Sequence, residues 1–259
     1  MFNGSMVWAV LPALDEEQSI GLVINALKST TLGDDSKLVD RIIVCDNGSI
    51  DETASVAEAS GAEVVFESER GYGAACLKAL AHFDKQSQGN DLDHIIVFVD
   101  ADHSVRIDEL PSLILPIAND ADLVIGNRTA GSRQWGALTP QQRFGNWLAT
   151  TLIRRLWAVE VNDLGPFRAI RADALESLNL QDRAFGWTCE MQIRAIQEGL
   201  NIVEVPVSST KRIGKSKISG TLMGTLRAGK GILGTLATLW LKERRHRGSS
   251  PSNASSLPS

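Results

Sequence analysis

Two aspartates one residue apart close the most apolar segment of the chain. Ile95-Ile96-Val97-Phe98-Val99 runs directly into Asp100-Ala101-Asp102. In extended backbone, residues i and i+2 face the same side, so both carboxylates can reach one hard cation. Mg²⁺ and Mn²⁺ prefer oxygen ligands, and Mg²⁺ is commonly held by one or two carboxylates together with substrate phosphates. An ion held there would act as a Lewis acid on a departing nucleoside diphosphate. The plainer alternative is a helix cap or Asx-turn that opens the next element.

Other chemistry-bearing groups flank neighbouring apolar runs. Asp46-Asn47-Gly48-Ser49-Ile50-Asp51-Glu52-Thr53 follows one of them. Asp46 can accept hydrogen bonds from a base or ribose, while Asp51 can equally cap the next helix through its free amides. Arg70-Gly71-Tyr72-Gly73-Ala74-Ala75 lies between a predicted strand and a predicted helix. Small residues there let backbone approach a ligand, and a helix N-terminus attracts anions. The segment also resembles the dinucleotide G-x-G-x-x-G fingerprint. However, Cys76 stands at the third small position and the motif follows the third strand. No acidic residue ends a strand about 20 positions on, so a nicotinamide oxidoreductase fits poorly.

Hydrophobic periodicity supplies the elements that must position these groups. It predicts strands over 7–13, 41–46, 62–66, 94–99 and 122–126, alternating with helices over 16–29, 51–60, 73–83 and 110–117. This β-α order predicts an α/β fold: a mostly parallel, Rossmann-like sheet with helices on both faces. Ligands bind such sheets at the carboxyl ends of the strands. Those ends hold 12–17, 46–49, 100–102 and 126–128, and three of the four are acidic. Beyond about residue 130 the rhythm changes. A loop over 131–140 precedes a helix over 141–157, then strands over 167–172 and 202–208 with a helix over 188–198 between them. A last helix over 218–240 carries Leu222, Leu226, Leu233 and Leu236 on one stripe. The expected organisation is a catalytic domain over 1–217, a basic amphipathic helix over 218–247 and a disordered polar tail over 248–259.

The 259 residues are 43% hydrophobic, enough for a sizeable core, and the formal net charge is −5. That charge is unevenly placed. Residues 1–210 carry a net −14, whereas 211–247 carry ten Lys/Arg and one acid, Glu243. A basic end on an acidic body suggests an anionic partner, either phosphate groups or an acidic membrane surface. The bland reading is a solvated basic helix. Nothing in the pattern calls for nucleic acid. Cys45, Cys76 and Cys189 are scattered, without a metal-type pair, so a reducing cytosol is the expected setting. No signal peptide is read at the start. No apolar run reaches the roughly 18 residues of a membrane span.

Taken in order, seven segments resemble GT-A glycosyltransferases of family 2, in particular the branch similar to dolichol-phosphate mannosyltransferase and bacterial polyprenyl-phosphate glycosyltransferases. They are VLPALDEEQSI, IIVCDNGSIDET, RGYGAA, VDAD, IGNR, GPFRAI and RIGKSKIS, spread over about residues 6–230. The resemblance implies that Pro12, Leu14 and Glu16 contact the donor nucleoside, with Leu14 in place of the usual Tyr and Asp15 in place of Asn. It implies that Asp46 matches the first Asp of Asp-Asp-Gly-Ser, with Asn47 replacing the second. Asp100 and Asp102 match the metal and diphosphate motif, and Arg128 an arginine that holds phosphate. Arg168 matches an arginine facing the acceptor phosphate, although Pro166 replaces a glycine there. Arg212 and Lys217 match a basic loop that closes over donor and acceptor phosphates.

Two further groups are ambiguous. His103 stands where the family often has Leu or Gln, and is either a group at the metal site or a solvent-facing loop histidine. Glu190, in Gly186-Trp187-Thr188-Cys189-Glu190, is either a base that positions the acceptor or an ordinary carboxylate near a helix start. The candidate catalytic set is therefore Asp100, Asp102, Arg168 and Glu190, with Mg²⁺ or Mn²⁺ on the two aspartates. Arg70, Gly71 and Gly73 join the donor-binding set. The activity the resemblance implies is inverting transfer of a hexose from a UDP- or GDP-sugar to a polyprenyl phosphate. A hydroxyl acceptor would need a base, and Glu190 or Asp163 would then serve. A soluble hydroxyl or phosphate acceptor such as phosphoglycerate is the first alternative, and a non-catalytic nucleotide-sugar binding protein the second. The basic helix is expected either to lie peripherally on the inner face of a membrane or to pack on the catalytic domain or a second subunit of a homo-oligomer.

Overall fold

The computed structural model describes residues 1–33, 36–87, 93–214 and 222–249. The strands are β1 Met6–Ala13, β2 Thr31–Leu32, β3 Ser36–Lys37, β4 Arg41–Asp46, β5 Glu63–Phe66, β6 His94–Phe98, β7 Leu123–Asn127, β8 Arg168–Arg171 and β9 Ile202–Pro206. The α-helices are α1 Ile20–Ser29, α2 Thr53–Ala59, α3 Tyr72–Ser87, α4 Leu110–Ile114, α5 Pro140–Trp157, α6 Ala172–Ser177, α7 Trp187–Gln197 and α8 Leu222–Ser249. Seven strands form one sheet in the order β5-β4-β1-β6-β8-β7-β9, and β2 and β3 pair separately.

Alternation along β1 explains the two layers. Val7, Ala9, Leu11 and Ala13 enter one core with Ile20, Val23 and Ile24 of α1. Trp8 and Val10 point the other way, into a core with Ala75, Cys76 and Ala79 of α3 and with Met191 of α7. A strand buried on both faces must be apolar along its covered length, as β1 is and as Ile42–Cys45 of β4 and Ile95–Phe98 of β6 are. A third cluster joins α5, α7 and α8 through Ala149, Ile153, Cys189, Ile193, Leu236 and Leu239.

The expected parallel sheet is present, with one reversal. β8 runs antiparallel between β6 and β7, placing Arg168 opposite both Phe98 and Ile125. Sequence periodicity carries no strand direction, so this central position of Arg168 was not legible. The short helix α6 and the β2–β3 pair are too brief for a periodic signal. Pro111 and Pro116 confine the 110–117 helix to α4, flanked by 3₁₀ turns over Ile107–Glu109 and Leu115–Asn119. Pro116 lacks the N–H that would continue the α-helical ladder.

Of the two arrangements expected for the C-terminal helix, the described residues show packing on the domain. Leu236 and Leu239 are buried against the domain. Glu243 Oε2 accepts from Trp157 Nε1 at 2.6 Å and from Gln197 Nε2 at 2.8 Å. The described part of the stripe is thus used in packing on α5 and α7, although Leu233 remains exposed. Among the described residues no helix is long and apolar enough to cross a membrane. The expected boundary at 217/218 lies outside the described residues; of the disordered tail expected over 248–259, residues 248–249 instead continue α8, and the rest lies outside the described residues.

Candidate active site

The ends of β1, β4, β6 and β7 bring the acidic segments to one edge of the sheet. Pro12 and Leu14 are half-buried at the end of β1, beside the segment that leaves β4, where the Asn47 amide donates to Ala13 O at 2.9 Å. Asp15 takes a left-handed conformation at φ 49°, which Asp tolerates better than most residues. Its Oδ1 accepts the Ile50 amide at 2.9 Å, and its own amide donates to Ser49 Oγ. Asp46 is buried, and its Oδ1 accepts the Ser49 amide at 3.0 Å.

Beyond β6 the backbone does not stay extended. Val99 still donates to Val10 O, but Ala101 and Asp102 form a turn and His103 sits at φ 59°. Asp102 Oδ1 accepts the Ser104 amide at 2.9 Å, the Asx-turn foreseen as the alternative. Asp102 is therefore placed by a turn rather than by a strand face shared with Asp100. Asp100 Oδ1 accepts from the Tyr72 hydroxyl at 3.1 Å. Burial, and then the neighbouring Asp102 charge, push the Asp100 carboxyl up to about 7, against the Tyr72 hydrogen bond and the charges of Arg128 and Arg212.

Two arginines face this acidic pair. Arg212 Nη2 donates to Glu16 Oε1 at 2.7 Å, and its Nη1 lies 3.4 Å from Asp102 Oδ2. The Ile213 amide donates to Asp102 O, and Thr210 bonds Ser104 and His103, so the segment carrying Arg212 is laid over the turn. Arg128 is clamped by Asp163, with Nε to Oδ2 at 2.8 Å, Nη2 to Oδ1 at 2.7 Å and its own amide to Oδ2 at 2.7 Å. Burial works against the Arg128 charge, but Asp163, and then Asp100 and Asp102, outweigh it and raise its pKa.

Several expected ligand groups have other employment. Arg168 is fully buried and donates to Gly165 O from Nε and Nη2 and to Thr188 O from Nη1. Burial brings its pKa down to about 10. It braces two backbone segments from within the sheet and does not reach toward an open acceptor. Glu190 is also buried. Its Oε2 accepts the Gln181 and Asp182 amides and its Oε1 pairs with Arg194 at 2.8 Å, so it clamps a loop and is not free to act as a base. Asn47 rivets two segments together, donating to Glu67 O and Glu69 O and accepting the Gly71 amide. Arg70 is exposed and donates to Gly48 O at 2.7 Å. Lys217 lies outside the described residues.

The start of α3 is a further correction. The amides of Gly73 and Ala74 donate to Ala184 O and Arg183 O, and that of Gly71 to Asn47. These groups are spent on protein and hold no anion. The glycines are required because the 182–184 backbone passes so close. A Cβ on Gly73 would stand 1.9 Å from Asp182 O, and one on Gly71 would stand 2.0 Å from Arg183 O. Gly73→Ala is therefore expected to lower stability by about 1–3 kcal/mol, the usual cost of overpacking, while leaving nucleotide-sugar affinity of the folded protein unchanged. Thermal melts with and without donor check this. Weakened donor binding at an unaltered melting temperature would restore the phosphate-cradle reading.

Sequence reasoning passed over Tyr72, which sat inside a motif read for its glycines, and placed Asp163 only as a spare base. Beside the Arg128–Asp163 pair lies a cavity of about 300 Å³ between the 128–133 loop and α5. Arg128, Arg133, Arg143 and Arg154 all line it. Among the described residues no cluster of three or more His, Cys, Asp or Glu is arranged around a metal. Asp100 and Asp102 alone could serve a cation that takes its remaining oxygens from a ligand.

Residues 8–178 match the model of glycosyl transferase family 2. An uncharacterised glycosyltransferase of Mycobacterium tuberculosis is 34% identical over 225 residues, spanning 86% of this chain and 94% of the relative. A dolichyl-phosphate hexose transferase of Haloferax volcanii is 29% identical over 226 residues, spanning 86% and 91% respectively. Among solved structures, glucosyl-3-phosphoglycerate synthase from Mycobacterium tuberculosis, in complex with Mn²⁺, UDP and glucosyl-3-phosphoglycerate, superposes with a TM-score of 0.71 at 25% identity. It covers 98% of this chain and 84% of that one.

Proposed function

Since this chain belongs to glycosyl transferase family 2 and is a glycosyltransferase, we propose that it moves a hexose from a UDP- or GDP-sugar to a polyprenyl phosphate, with inversion at the anomeric carbon. The observation that carries the choice of acceptor is the engagement of Asp163 and Glu190. A hydroxyl acceptor needs a carboxylate to take its proton, and both candidate bases are tied to arginines or amides. A phosphate monoester is already anionic and needs little such help. The four arginines lining the cavity beside Arg128 suit that charge.

On the donor side, Asp100 and Asp102 would hold Mg²⁺ or Mn²⁺. The fit rests on the donor set: two carboxylates, one on either side of Ala101 at the end of β6, offer oxygens of the kind a hard cation takes. Such an ion supplies Lewis-acid neutralisation of the diphosphate. Arg128 and Arg212 face the same charge, and Arg212 Nε is buried without a partner among the described residues. Preorganised donors aimed at a leaving group's developing charge are typically a large catalytic term. Pro12, Leu14 and Asp46 are left to frame the base and ribose, at the end of β1 and β4.

The second reading, a soluble acceptor, is favoured by the likeness to the phosphoglycerate-linked structure. Transfer assays with UDP-glucose and GDP-mannose, each with Mn²⁺, offered either polyprenyl phosphate or 3-phosphoglycerate, separate the two. Lipid-linked sugar with at least tenfold preference is expected. Glucosyl-phosphoglycerate as the main product would overturn the lipid acceptor, and no transfer to any acceptor would favour a binding protein.

A further inference from the structure

Three large aromatic side chains stand exposed on α5 and the loop before it. Trp135 is 96% exposed, Phe144 62% and Trp147 56%. Phe144 and Trp147 contact each other, with ring centroids 5.7 Å apart. At about 100° per residue, Arg143, Phe144, Trp147, Thr151, Arg154 and Arg155 share an arc of roughly 120° on α5. The opposite side of the helix, at Ala149 and Ile153, is buried against α7 and α8. Arg143, Arg154 and Arg155 are exposed along with the aromatics.

Charge sharpens the pattern. Residues 123–159 contain five arginines and no acid, within a 1–210 body that carries a net −14. A stretch this free of acids, with aromatics among arginines on one outward face, matches what an anionic lipid surface attracts. Aromatic rings settle at the headgroup level and guanidinium groups pair with lipid phosphates. Arg143, Trp147 and Arg154 also line the 300 Å³ cavity whose other wall is Arg128 and Asp163. The face therefore adjoins the place where a phosphate would have to arrive.

Resting on the polyprenyl-phosphate reading above and extending it, we propose that the outer face of α5 and the loop bearing Trp135 dock the enzyme on an anionic bilayer, so that lipid-borne phosphate enters the arginine-lined cavity. On this proposal membrane contact, one of the two roles expected of the C-terminal helix, is made by α5.

Vesicle flotation tests this with full-length protein and two lipid mixtures, phosphatidylcholine alone and phosphatidylcholine with 30% phosphatidylglycerol. Binding should be at least tenfold stronger to the anionic vesicles and should weaken as salt rises. Trp135→Ser/Phe144→Ser/Arg155→Gln alters only exposed side chains and should lose most of that binding, while its melting temperature and its thermal shift with UDP- or GDP-sugar and Mn²⁺ stay as in the wild type. Lys242→Gln/Arg244→Gln/Arg245→Gln on α8 should float like the wild type. Loss of flotation only in the α8 variant, or failure of wild type to float with either mixture, would overturn the proposal. So would a wild-type dimer that the α5 variant dissociates, since the face would then serve a second copy. Donor binding without vesicle binding refutes the docking alone, whereas vesicle binding without transfer to polyprenyl phosphate refutes the acceptor alone.

Discussion

Asp102→Asn lowers turnover by about 10²–10³-fold, or about 2.7–4 kcal/mol of transition-state stabilisation, the usual effect of removing one preorganised electrostatic group. The substitution keeps size and the Asx-turn oxygen that meets the Ser104 amide, so the fold should hold. What it removes is one of two charges available to a cation and the partner of Arg212 at 3.4 Å. The apparent Mn²⁺ requirement should rise together with the fall in kcat. If loss of the Arg212 anchor were the whole effect, Arg212→Gln would reproduce the fall in turnover without the change in Mn²⁺ requirement. Turnover at the wild-type level by Asp102→Asn, at equal Mn²⁺, would refute the ion-holding role outright.

The identities at the strand ends were legible because an open α/β sheet must place its ligands there, and because apolar runs announce the strands. Asp46, Asp100 and Asp102 follow from that rule alone. Their detailed geometry does not. Asp102 lies in a turn followed by His103 in a left-handed conformation, which no period-2 argument contains. Arg168, Glu190 and Asn47 share one cause of misreading. A polar residue in a motif can serve a ligand or satisfy buried backbone, and only the partners distinguish these. Buried carbonyls and amides must be paired, and here Arg168, Glu190 and Asn47 do that pairing. The glycines of 71–73 are ambiguous in the same way, because close approach to a loop and to a phosphate impose the same residue type.

The acid-free run over 123–159 was visible in the letters, but the denser basic cluster near the C-terminus drew the inference of an anionic surface. Burial distinguishes their apolar residues: α8 spends Leu236 and Leu239 on the domain and leaves Leu233 and Leu241 exposed, whereas α5 buries Ala149 and Ile153 and leaves Phe144 and Trp147 outside. Both helices are amphipathic, and amphipathicity alone does not say whether a face meets protein or lipid.

Asp163→Ala should be the most destabilising single change near the site. Asp163 has 1% of its side chain exposed and Arg128 19%, and three hydrogen bonds join them. Removing one partner of a buried pair strands the other charge at a cost of about 3–5 kcal/mol. Because Arg128 keeps a fifth of its surface in solvent, about 3 kcal/mol is expected, lowering the melting temperature by roughly 6–12 °C at this chain length. Burying the same volume without charge is often neutral. Arg128→Met/Asp163→Leu should therefore recover most of the lost stability while transfer stays abolished, since the cavity has lost the cation that faces Asp100. That split assigns the pair to function and not to holding the fold. A melting temperature for Asp163→Ala within about 1 °C of wild type would instead make the clamp a surface ion pair of little worth. A double variant that retained transfer would remove Arg128 from the reaction.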